Sequence, residues 1–164
     1  MKKHVLLLVA AASILAFSLN AFAAGTAEQI VTFTIGASNE ISVSGPPGLM
    51  EILAAEAGSV PEAVIDNNTT ISYSTNSSNK KITADIDLDM PTGVTLEAHI
   101  AAPGGAQGIS QGSKPLSVTA SDLVTGISKA AVQDETITYT LSATTTADPI
   151  ENETRTVTFT LTAD

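Results

Sequence analysis

Apolar and polar residues alternate with a period of two along most of this chain. Val31, Phe33 and Ile35 alternate with Thr32 and Thr34, Ile71 and Tyr73 with serines, and Ile82, Ala84, Ile86, Leu88 and Met90 with Thr83, Asp85, Asp87 and Asp89. Val94, Leu96, Ala98 and Ile100 follow the same rule, as do Ile137, Tyr139 and Leu141, and then Val157, Phe159 and Leu161. Such alternation marks strands with one buried and one solvated face. Shorter candidates are Ile41 with Val43, Leu49 to Leu53, and Leu116 with Val118.

Turn formers separate these runs at Gly45-Pro46-Pro47-Gly48, Asp66-Asn67-Asn68, Asn76 to Asn79, Met90 to Gly93 and Pro103-Gly104-Gly105. About eight short strands, each with one polar face, predict two packed antiparallel sheets. Helix is expected only as single turns at Ala54 to Ala57 and at Ser121 to Val124, the latter with Ser121 as N-cap.

The first 23 residues break the pattern. Lys2 and Lys3, an apolar run from Val5 to Phe17 and Ala21-Phe22-Ala23 form a secretory signal peptide. The expected product is exported: in the periplasm in transit, then at the cell surface, in a fimbrium or in the extracellular medium. No later run reaches the roughly 20 apolar residues of a membrane-spanning helix. Residues 24–36 read as an N-terminal extension, set apart by Gly36-Ala37-Ser38-Asn39, and residues 37–164 as the sandwich.

All 17 acidic residues lie beyond residue 23, with only five of the seven basic ones, a net −12 for that part of the chain. So acidic a surface does not suit nucleic acid, whose binding depends on clustered Lys and Arg. There is no cysteine, which excludes disulfides, thiolate metal sites and a thiol nucleophile. Beyond residue 23 the aromatic residues are Phe33, Tyr73, Tyr139 and Phe159, each the apolar member of an alternating run, so they read as core.

Motifs for catalysis do not hold together. Gly108-Ile109-Ser110-Gln111-Gly112 matches GxSxG, yet no histidine follows Ser110 and its flanks are loop formers. Ser77 to Lys80 and Ser78 to Lys81 match SxxK, but they join two strands where no helical turn aligns serine with lysine, so Lys80 and Lys81 read as solvated. His99 has no second histidine within the sandwich and is given no role. Asn67, Asn68, Asn76 and Asn152 each begin an N-x-[ST] sequon.

Asp85, Asp87 and Asp89 are expected on one strand face, about 7 Å apart. A straight strand does not converge carboxylates as a calcium loop does, so they are weak metal candidates and no cofactor is assigned. With no base, nucleophile or metal assembled, the chain reads as a non-enzyme.

The order of features resembles the major subunits of chaperone–usher fimbriae, particularly the alternate, colonisation-factor type. A signal peptide precedes an extension, AEQIVTFTIGAS, followed by the strand–loop–strand passage STNSSNKKITADI, LSVTASDL and the terminal RTVTFTLT. The resemblance implies an all-β, immunoglobulin-like antiparallel sandwich of about 7–9 short strands lacking its last one. A periplasmic chaperone would fill the groove first, at an outer-membrane usher, and another copy's extension would replace it. By position, Val31, Phe33 and Ile35 would be the donated side chains and Val157, Phe159 and Leu161 the acceptor edge. The alternative is a self-complete secreted sandwich, a surface or matrix protein or a binding module for glycan or calcium. Its candidate sites are the loop from Gly104 to Gly112 and the aspartates.

Overall fold

The computed structural model describes residues 25–53 and 55–164 of the 164-residue chain, so residues 1–23, expected from the sequence to be a signal peptide, lie outside the described residues. The chain divides into two units, Met1–Thr34 and Ile35–Asp164. In the first, residues 25–34 carry no regular secondary structure, and Ile30, Val31 and Phe33 are exposed.

The second unit is an antiparallel β-sandwich. Its strands are β1 (Asn39–Val43), β2 (Val64–Thr75), β3 (Lys80–Ile86), β4 (Val94–Ile100), β5 (Ile109–Ser110), β6 (Lys114–Pro115), β7 (Ser121–Ile127), β8 (Ala131–Ala143) and β9 (Val157–Ala163). One sheet has the order β1-β2-β8-β4-β6 and the other β5-β7-β3-β9. Between them lies a core of Ile71, Tyr73, Ile82, Ile86, Ile100, Leu123, Val124, Ile127, Ile137 and Tyr139, with small residues such as Ala84 and Ala98 filling the gaps. These are the apolar members of the alternating runs.

A constant-type immunoglobulin sandwich orders its strands A-B-E-D on one sheet and C-F-G on the other. Reading β1, β2, β3, β4, β8 and β9 as A to F reproduces A-B-E-D and C-F, with β5, β6 and β7 inserted between D and E. Among the described residues no strand occupies the G position beside β9.

Several local expectations give way to packing. Asp66-Asn67-Asn68 does not end a strand; it forms a bulge inside β2, where the register with β8 slips between Asp66 and Thr69. The bulge changes which parity faces the core, so that Asp66 and then Thr69, Ile71, Tyr73 and Thr75 are buried. Ser121 to Val124 belongs to β7 and not to a helical turn, because the strand sets Leu123, Val124 and Ile127 into the core. Residues 49–53 form no strand, and near Ala57 there is only a turn closed by Ser59 N donating to Glu56 O at 3.0 Å.

The glycine-rich segment is an ordered piece of the sandwich. It forms a 3-10 turn at Gly105–Gln107 and then β5, and the Tyr73 hydroxyl donates to Gln107 O at 2.7 Å. Gly108 has φ 118°, and a Cβ there would lie 2.5 Å from Val124 Cγ1, so only glycine lets the loop close onto the core.

Candidate functional site

The site is the side of the sandwich where both sheets stop at an unpaired strand. Residues 156–164 lie along β3 in the register Ile82↔Leu161, Ala84↔Phe159 and Ile86↔Val157. Asp87 N donates to Thr156 O at 3.2 Å, and Asp164 N to Asn79 O at 2.9 Å. In an antiparallel ladder such pairs alternate, so Thr158, Thr160 and Thr162 also face β3. The backbone N–H and C=O groups of Val157, Phe159, Leu161 and Ala163 therefore point away from β3, toward the vacant G position.

The side chains tell the same story. Ile82, Ala84 and Ile86 of β3 are at most 1% exposed, whereas their neighbours Leu161, Phe159 and Val157 are only half-buried against the same core. An inward-facing residue stays half-covered when the next strand of its layer is missing.

Across the sandwich, β1 forms the facing margin and touches β9. Its register Ile41↔Tyr73 and Val43↔Ile71 turns Ile41 and Val43 inward with those buried partners. Val43 is nevertheless 51% exposed. Ser44 N donates to Thr70 O at 2.9 Å and Asn76 N to Ser38 O at 3.2 Å, so by the same alternation Asn39, Ile41 and Val43 turn their backbone groups outward. Among the described residues, two apolar edge strands thus stand side by side, each with an outward row of backbone donors and acceptors that no neighbouring strand pairs.

Polar residues at the lower end of β9 fix its course. Asp87 Oδ1 accepts from Thr156 N at 2.9 Å, and this bond, ahead of all other causes, holds the Asp87 carboxyl below its ordinary pKa. Arg155 donates from Nη2 and Nε to Asp89 O, at 3.0 and 3.3 Å, and pairs with Glu153 at 2.8 Å. Asp89 Oδ1 accepts from Val118 N at 3.0 Å. The aspartates thus do not form a row on one strand face. Only Asp85 lies on β3; Asp87 and Asp89 lie past its end and hold neighbouring backbone.

No group of three or more His, Cys, Asp and Glu side chains among the described residues is placed to hold a metal ion. Lys81 pairs with Asp122 at 3.1 Å, and His99 stands on β4 opposite Thr138. Ser110 lies on the edge strand β5. No helix among the described residues is long and apolar enough to cross a membrane.

The sequence named Val157, Phe159 and Leu161, and the structure brings them into one register on an edge strand. Val31 and Phe33 fall in the first unit and Ile35 opens the second; all three are exposed, at 73%, 79% and 79%, and none is in a strand. The opposite lip, Ile41 and Val43, was missed. Its only signal was a two-residue alternation, too short to assign to a face. Neither a protein-family model nor a curated protein sequence matches the chain.

Proposed function

We propose that this chain is an exported structural subunit of a fimbria-like surface polymer, in which each copy inserts Val31 to Ile35 into the groove between β1 and β9 of another copy. The observation that carries the reading is the vacant seventh position of an otherwise complete immunoglobulin order, lined by the half-buried Val157, Phe159 and Leu161. The same chain supplies an exposed segment, VTFTI, with the alternation that such a groove accepts.

Strand addition of this kind joins backbone ladders for affinity and places alternate side chains in pockets for specificity. Burying Val31, Phe33 and Ile35 contributes about 5 to 8 kcal/mol of gross hydrophobic free energy. Until a second copy arrives, the groove is an exposed apolar edge, the kind of surface that aggregates. A chaperone that covers it and an usher that exchanges the cover for the next subunit are the partners this chemistry calls for.

Deleting residues 24–36 from the exported protein should abolish multimers while leaving a folded sandwich, provided the groove is shielded. Phe33→Asp should do the same in the full-length chain, since it places a charge in an apolar cleft. Size-exclusion chromatography and electron microscopy read the result. Either variant polymerising like the parent would remove the basis of the proposal.

A further inference from the structure

We infer that Asn76 is a positioning residue that steers the leading segment toward another copy and away from the chain's own groove; the inference rests on the strand-donation reading above. The difficulty it resolves is topological. The groove begins at β1, and β1 is the strand to which the leading segment is joined through Gly36, Ala37 and Ser38. A hairpin reversal over those three residues would lay Val31 to Ile35 antiparallel on the free backbone of Asn39, Ile41 and Val43, filling the groove from within. An intramolecular strand on so short a tether has an effective concentration on the order of millimolar, well above that of free subunits. Donation to another copy therefore requires something that disfavours the reversal.

Asn76 supplies it with three hydrogen bonds from one residue. Its backbone N–H donates to Ser38 O at 3.2 Å, its Oδ1 accepts from Ser38 N–H at 2.9 Å, and its Nδ2 donates to Gly36 O at 2.7 Å. Ser38 and Gly36 have the parity of Glu40 and Ser42, the β1 residues that face β2. The asparagine side chain thus stands in for the missing continuation of β2 and keeps Gly36 to Ser38 in line with β1. Gly36 is also not in the positive-φ region that tight hairpin turns draw on. Reversing the chain means breaking both side-chain bonds of Asn76.

Because the chain has no cysteine, introduced pairs of exposed residues report where the segment docks: Thr32 with Thr160 for docking beside β9, and Thr32 with Ser42 for the reversal onto β1. T32C/T160C should give a covalent ladder of multimers on oxidation. T32C/S42C, whose cysteines oppose each other only after the reversal, reports self-docking as internally crosslinked monomer, and adding Asn76→Ala should raise the ratio of that monomer to the T32C/T160C ladder roughly tenfold, the order expected for losing two hydrogen bonds of ordinary strength. Asn76→Asp keeps the acceptor and loses the donor, and should fall between. The thermal midpoint of the sandwich should stay close to the parent's, which separates steering from general destabilisation. Ser38→Gly supplies the left-handed last residue on which a three-residue reversal draws, leaves the Asn76 side chain in place and should move the ratio in the same direction, even if Asn76→Ala folds poorly. An unchanged ladder in both backgrounds overturns the inference and leaves strand donation standing. A parent that yields neither ladder nor polymer removes the reading beneath it, and the inference with it.

Discussion

At the residue scale, two kinds of position govern this sandwich: places where no side chain fits, and polar groups that burial has shifted. Gly108 is the first kind. Its positive φ and the 2.5 Å approach to Val124 mean that Gly108→Ala forces the 3-10 turn off β7. The variant should lose about 2 to 4 kcal/mol, the sum of backbone strain and overpacking, measured by denaturant unfolding. Tyr73 and Tyr139 are the second kind. Burial, ahead of the nearby Glu135 and Asp66 respectively, pushes each phenol up to about 12. A raised phenol pKa means the unfolded chain ionises first, so the stabilisation is whole below pH 10 and is lost as pH rises from about 10 to 12. Tyrosinate absorbance and far-ultraviolet circular dichroism, followed together through that window, should change in one cooperative step. These are the only two tyrosines, so no exposed ring dilutes the signal.

At the scale of elements, the decisive strand is β9. Its inward side chains are half-buried within one chain, so under the proposed strand donation shortening one should weaken assembly more than it weakens the fold. Phe159→Ala should lower the denaturant resistance of the polymer by about 3 kcal/mol per joint, while the subunit's own stability falls by less, because only part of the ring leaves water within one chain. Thr160→Ala, on the exposed face of the same strand, should change neither. Equal losses for Phe159→Ala in subunit and polymer would show that no second chain completes its burial. Strand periodicity placed β4 to the residue and β9 nearly so, because both carry unbroken alternation over seven positions. It failed at Asp66-Asn67-Asn68 and at Ser121 to Val124, where local preference for a turn or cap was overridden by a bulge and by the burial of Leu123 and Val124.

At the scale of the whole molecule, apolar closure competes with electrostatic repulsion. Beyond residue 23 the chain carries a net −12, so copies that donate strands as proposed repel until their edges engage. Raising ionic strength shortens the Debye length from about 30 Å at 0.01 M to about 10 Å at 0.1 M, which weakens that repulsion and leaves hydrophobic burial untouched. Assembly should therefore be faster and tighter with added salt, as light scattering of purified subunits would record. An assembly held by ion pairs would respond in the opposite sense.

The sequence by itself determined the class: period-two alternation admits strands with one wet face, and two such sheets must bury their dry faces against each other. It also gave VTFTI and VTFTL the same alternation, since a pattern of side chains is local. It was silent on which strand ends a sheet, because an edge and an interior strand carry the same alternation and differ only in which neighbour is absent. Only the tertiary structure set β9 and β1 as the sheet margins on one side of the sandwich and turned the Asp87 and Asp89 carboxylates to backbone. It also bound Asn76 to Gly36 and Ser38. Those relations join residues distant in sequence, and they are settled by register and packing, which no stretch of the chain encodes on its own.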